Sequence, residues 1–191
     1  MNKFEEIKKE LAKIISKSPI EEDPTHSINT WEWVLKLKPD ADEALQIAAL
    51  AHDIDRAITG NSESSGIKDI SNKTVYKKYK LEHSIRSASF TEAIMKKLNY
   101  DAGTINRVKH LIEKHEFGGD PESDILMNAD SISYFDNNVS FYFKKNGPKK
   151  TKDKVRFMFQ RTSNPEIKKI ILRLKHKSPE VDKIFKEATS E

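Results

Sequence analysis

The stretch Leu45-Gln-Ile-Ala-Ala-Leu-Ala-His52-Asp53-Ile-Asp55-Arg56 decides how the rest of the chain is read. A small-residue apolar run ends directly in a histidine and an aspartate. Such runs build core, so this one carries an imidazole and a carboxylate toward a buried place. Both groups are costly to bury unless something pairs with them. A divalent cation satisfies both at once, because imidazole nitrogen and carboxylate oxygen are common ligands of such ions. The question for the other segments is whether they supply the remaining ligands.

The bulk composition leaves room for that reading and closes others. At 191 residues the chain suits one domain, 1–191, with a sizeable core. Hydrophobic residues are 36% and charged residues 34%, a mix that favours long amphipathic helices with charged outer faces. There is no cysteine, which excludes disulfides, thiolate metal sites and cysteine nucleophiles. The net charge of +4 is a mild basic bias toward phosphorylated or nucleic-acid partners. No apolar run approaches a membrane span, and the charged start Met1-Asn-Lys-Phe-Glu-Glu lacks a signal-peptide core. The expectation is a soluble cytoplasmic protein.

Helical periodicity recurs along the chain. Phe4, Ile7, Leu11, Ile14 and Ile15 predict a helix over 3–17. The next helix starts near Asp23-Pro24 and stops before Pro39. In it His26, Thr30, Trp33, Val34 and Leu37 share a face. Asp40 is the expected cap of a third helix that places Ala41, Leu45, Ala48, Ala49 and His52 together. Residues 59–72 read as a loop, placed where a lid or substrate loop would be useful. A helix over 74–98 aligns His83, Ser87, Phe90 and Ile94. Another, capped by Asp101 and running to Glu116, puts His115 on a stripe with Val108, Leu111 and Ile112. After Phe117-Gly-Gly-Asp-Pro121, the segment 122–135 aligns Leu126, Met127, Asp130 and Tyr134. The remainder, about 140–190, reads as accessory. Ser140–Phe143 is helix or strand, 144–154 is a basic loop, and helices follow over 151–161, 165–175 and 178–188. With no strand predicted with any clarity, the class is all-α.

Five sites therefore carry a metal-competent side chain on an inward face: His26, His52-Asp53, His83, His115 and Asp130. Of the six histidines only His110, off its stripe, and His176, among lysines, stand apart. One histidine on an apolar face is more often a satisfied core residue than a ligand. Four imidazoles and two carboxylates in one small core are costly without an ion.

This ordered set resembles the HD-domain superfamily of metal-dependent phosphohydrolases. The resemblance covers about 24–136. It includes the alanine- and leucine-rich helix before His52-Asp53 and the apolar-Ala-Asp motif in Ile125-Leu-Met-Asn-Ala-Asp130. It implies an all-α HD-domain helical bundle, with an HD-like metal-binding core over about 20–136 and C-terminal accessory helices. It assigns His26, His52, Asp53 and Asp130 to the minimal metal set and His83 and His115 to the binuclear extension, in which Asp53 bridges. The chain departs from the cyclic-dinucleotide branch, with Lys114-His115 in place of paired histidines and no Gly-Tyr-Pro after Phe117-Gly-Gly119. It also lacks the glutamate-aspartate pair of guanosine-tetraphosphate hydrolases. It looks closer to a poorly characterised HD-like branch.

The expected cofactor is one or two divalent transition ions, Mn, Fe, Co, Ni or Zn, since a nitrogen-oxygen set suits these better than Mg. The expected activity is hydrolysis of a nucleotide or other small phosphate ester through metal-activated water. Asp53 is expected in the catalytic centre, with Arg56 and Arg86 as phosphate-binding cations and Lys80, Lys114, Lys154 and Arg161 as further candidates. Asp55 and Glu116 are candidates for a general base. Trp31, Trp33, Tyr134 and Phe135 have the chemistry to stack a base, but their spacing favours core packing. The alternatives are a catalytically silent HD-like module for a partner or nucleic acid, supported by the lysines of 144–156, and a di-iron HD-type oxygenase.

Overall fold

The computed structural model describes residues 2–60 and 73–190. The described residues are mostly helical and contain no strand. Among the described residues eleven helical segments follow one another: α1 (Lys3–Ile15), α2 (Asp23–Leu37), α3 (Glu43–Ala51), α4 (Ile54–Thr59), α5 (Lys73–Lys97), α6 (Ala102–Lys114), α7 (Pro121–Ser133), a π-helical turn (Tyr134–Asn138), α8 (Val139–Arg161), α9 (Pro165–Leu172) and α10 (Pro179–Thr189). The loop expected over 59–72 lies outside the described residues from 61 onward, as does the side chain of Arg161.

Capping explains most helix starts. Asn2, Asp101, Asp120, Asn164 and Ser178 each accept a backbone N–H of their helix's first turn. The third helix corrects the expected cap. Asp42, not Asp40, accepts the Leu45 N–H at 3.1 Å, and the helix opens at Glu43. Ala41 is buried just before it, which leaves Asp40 on the surface beside Lys38.

Helix α3 is the axis of the bundle. Ala44, Leu45 and every residue from Ile47 to Ala51 are buried, and α2 and α6 pack against it. Alanine at 44, 48, 49 and 51 keeps those neighbours close. Two apolar clusters result. One gathers α1, α2, α3, α5 and α6, with Ala129 and Leu126 of α7. The other holds Ile132, Phe135, Val139, Val155, Ile171 and Phe185, and Trp33 and Leu37 of α2 pack against both.

The segment expected as a basic loop over 144–154 is helical, and so is 140–143. Gly147, at φ 75° and ψ 178°, breaks the α8 axis, and Pro148 opens the second limb, where its missing N–H costs nothing. The lysines sit on the solvent side of this bent helix, and Thr151 and Val155 point inward.

Candidate metal centre

The centre is built where α3 stops. Its last helical residue is Ala51, and His52 and Asp53 form the break before α4. His26 comes from α2, His83 from α5, His115 from the end of α6 and Asp130 from α7. All six sequence-expected ligand residues come together. The four imidazoles are almost fully buried, at 0–3% exposure.

The donor atoms converge. His26 Nε2 lies 3.0 Å from Asp130 Oδ1, 3.3 Å from His52 Nε2 and 3.6 Å from Asp53 Oδ2. His52 Nε2 lies 3.5 Å from both Asp130 Oδ1 and Asp53 Oδ2. Atoms bound about 2.1 Å from one ion, at tetrahedral or octahedral angles, lie about 3.0–3.4 Å apart. On the other side, Asp53 Oδ1 lies 2.7 Å from His83 Nε2 and 3.8 Å from His115 Nε2. Asp53 thus belongs to two triads, one with His26 and His52 and one with His83 and His115, each with the spacing of an ion site.

The protons point away from the centre. His52 Nδ1 donates to the Ala49 carbonyl at 2.9 Å, and His115 Nδ1 to the Ile112 carbonyl at 2.6 Å. Ser133 directs its hydroxyl to the His26 carbonyl, so its oxygen accepts from His26 Nδ1 at 2.8 Å. In each neutral ring, Nε2 is then a bare lone pair aimed inward. His115 Nε2 is buried without a hydrogen-bond partner. Lone pairs facing carboxylate oxygens repel unless a cation stands among them, and a ring nitrogen tied to a carbonyl is the usual support of a ligating histidine. The buried His/Asp set could therefore hold a metal ion.

Electrostatics agree. Burial lowers the pKa of His26, His83 and His115, so these rings are neutral donors at neutral pH. Burial raises the Asp130 carboxyl, and positive charge at the His26 and His52 side of it, the place an ion would take, lowers it well below the usual carboxylate range.

Around the ligands sits a ring of supports. Asp55 is fully buried and accepts from His83 Nδ1 at 3.1 Å and from Arg86 Nε and Nη2 at 2.9 Å each. Arg86 therefore stands behind His83, with its fork on Asp55, and not at the centre as a phosphate-binding cation. The same contacts take Asp55 away from the general-base role. Arg56 does reach the centre, where it pairs with Asp53 and, at 3.2 Å, with Asp23. Lys80 Nζ lies 2.6 Å from Glu116 Oε1, and both border the small cavity beside the ligands. Burial pushes the Glu116 carboxyl up, but interactions led by the Lys80 ammonium outweigh it and hold it at about 2. Lys154 lines the groove outside. Phe135 is core, Tyr134 faces the cavity, and Trp31 and Trp33 bond to Gln46 and Asp136 away from it.

The sequence assigns no site role to Tyr79 or Ser133, and it offers Asp23 only as a helix cap, whereas Asp23 is the first residue inside α2 and pairs with Arg56. Tyr79 stacks on the His83 ring at an interplanar angle of 5°. Its position one turn before His83 was the available signal, as was that of Asp23, three residues before His26.

A family model described as a domain of unknown function, DUF4202, matches residues 3–184. The chain belongs to the DUF4202 family. No curated protein and no solved structure matches it. The match takes in all six converging residues of this DUF4202 protein together with α8, α9 and most of α10. No helix among the described residues of the DUF4202 chain is long and apolar enough to cross a membrane.

Proposed function

We propose that this protein is a metal-dependent phosphohydrolase of the HD type, acting on a nucleotide or another small phosphate ester. The observation that carries the reading is the convergence of four imidazole Nε2 atoms on two carboxylates, with Asp53 shared between two triads. His26, His52, Asp53 and Asp130 would hold one ion, and Asp53, His83 and His115 a second. Their nitrogen-oxygen donors favour Mn, Fe, Co, Ni or Zn. Such ions lower the pKa of a water and neutralise phosphoryl charge.

The chain's own groups supply the rest. Lys80 borders the cavity and is held in place by the Glu116 carboxylate, so its ammonium binds a phosphoryl oxygen as a point charge. Arg56 sits at the mouth between Asp53 and Asp23 and orients the ester from the opposite side. The Ala49 and Ile112 carbonyls hold protons on Nδ1 and keep Nε2 of His52 and His115 free. The buried walls exclude bulk water.

The test is metal analysis of the purified chain, followed by a panel of phosphoesters with added Mn, Co or Ni. The expected result is bound transition metal and metal-dependent turnover, both lost in His52→Ala and Asp130→Ala. Metal-loaded protein that hydrolyses no phosphoester would sink the reading. Iron-dependent oxygen consumption in its place would favour the oxygenase.

A further inference from the structure

The cavity at the proposed centre is small, about 70 Å³, and is bordered by His26, Asp53, His83, Glu116 and Asp130. One water needs about 10–15 Å³ of such space, so the cavity has room for a small group such as a phosphate. Arg56, Tyr134, Asn138 and Met158 border it and also border a groove of about 550 Å³. That volume lies within the usual range for a small-molecule site, about 300–1,000 Å³. Whatever is esterified to a phosphate in the small cavity has this groove as its outlet.

The groove is a product of the bend in α8. The limb before Gly147 contributes Phe141, Tyr142, Lys144 and Lys145, and the limb after it contributes Lys154 and Met158. Residues 19–22 form the other wall and bring Glu21 and Glu22. The lining is thus aromatic and cationic on the α8 side and carboxylate on the other. Lys144 lies 5.4 Å from the Phe141 ring, so a cation and a π-face are presented together. The aromatics offer a stacking platform. The lysines offer charge for an anion, and the two glutamates repel an anion toward the α8 side while accepting from hydroxyl or amino groups.

We infer that the groove binds the part of the substrate beyond the scissile phosphate, and that this part carries a ring and a second anionic group seated on Lys144, Lys145 and Lys154. The substrate class is a phosphate ester with two separated anionic groups, one at the metal centre and one in the bend of α8. The inference rests on the phosphohydrolase reading for the identity of the first group. It stands on the groove for the second.

The experiment is calorimetric titration of the manganese-loaded full chain with nucleoside 5′-monophosphates and with the matching 3′,5′-bisphosphates. The bisphosphates are expected to bind at least about tenfold tighter, as one net charge-assisted contact gives. The Lys144→Ala/Lys145→Ala double variant, altered at two exposed side chains, is expected to lose most of that preference. Its melting curve reports whether the fold is kept, and Lys144→Gln and Lys145→Gln singly should give partial losses. Equal binding of mono- and bisphosphates, no binding of either, or a preference that survives the lysine substitutions overturns the inference. A lysine-dependent preference without turnover of any phosphoester supports the groove assignment and removes the phosphohydrolase reading alone.

Discussion

Asp55 and Arg86 show how a charged residue can matter to a site that it does not touch. Asp55 holds the Nδ1 proton of His83, and Arg86 holds Asp55 with two parallel bonds at 2.9 Å. Removing such outer partners costs about 10–100-fold in metal affinity. Asp55→Asn and Arg86→Lys are therefore expected to weaken binding of one ion equivalent, that of Asp53, His83 and His115. Competition with a chromophoric chelator measures it, and an effect on both equivalents would contradict the assignment. The candidate positions His26, His52, His83, His115 and Asp130 were readable because each lies at helical spacing within an apolar stripe, where a charged or imidazole side chain stands out, and Asp53 because it adjoins His52. The roles of Arg56 and Arg86 were not readable. Position on a helix fixes a direction, but the partner met there comes from another helix. Asp55 waits for α5 to dock before its own function is defined.

At the scale of elements, Gly147 is the position with the most to lose. Its backbone lies at φ 75° and ψ 178°, a region open essentially to glycine, although a Cβ there would meet no atom within 4 Å. Gly147→Ala is expected to cost about 1–3 kcal/mol from backbone strain alone. Urea unfolding gives the value, and a cost near zero would mean that α8 straightens without penalty. The lysines clustered around Gly147-Pro148 give this segment the composition of a loop. Each limb is a good helix by itself, and a single residue makes the bend. The cap of α3 failed for a similar reason. Asp40 and Asp42 are equivalent by composition, and the burial of Ala41 chooses between them. The π-helical turn after α7 has no sequence signature either. It shifts the register by one residue and brings Tyr134 and Asn138 to the mouth of the cavity while Phe135 stays in the core.

For the whole molecule, two measurements report on the centre. The first is pH. His26, His83 and His115 have folded values below the ordinary 6.5, so the unfolded chain binds more protons as pH falls through that value. Their contribution is fully present above about pH 7 and declines below 6.5. Asp130 and Glu116, with lowered carboxyl values, add a loss at still lower pH, from about 4.5 down toward about 2 for Glu116. Both sets act in the same direction. The urea midpoint is expected to be level between pH 7 and 8 and to fall steadily from 6.5 downward. A midpoint that rises on acidification would contradict the burial of neutral rings. The second measurement is chelation. An ion at a hundred times its Kd adds about 2.7 kcal/mol, which for a chain of this size is about 5–10 °C in melting temperature. Exhaustive chelation should remove that increment, and restored Mn or Zn should return it. The all-α class was legible throughout, because helical periodicity runs through almost every segment. The shared packing of α2 against both apolar clusters was not, since Trp33 and Leu37 read as members of one stripe.

The convergence of α2, α5, α6 and α7 on the break after α3 also orders events in time. The donor atoms come from positions as far apart as His26 and Asp130, and short local segments cannot bring them together. Contacts of such long sequence separation form only after the entropy of closing large loops has been met. The candidate ion site is thus a late product of folding, assembled when the bundle is already docked. An ion added to the refolding chain should leave the refolding rate nearly unchanged and slow unfolding, the pattern of an interaction absent from the transition state. Stopped-flow traces with and without Mn separate the two arms. In kinetic terms, an ion held at the break after α3 would work as a latch on the folded bundle and not as its nucleus.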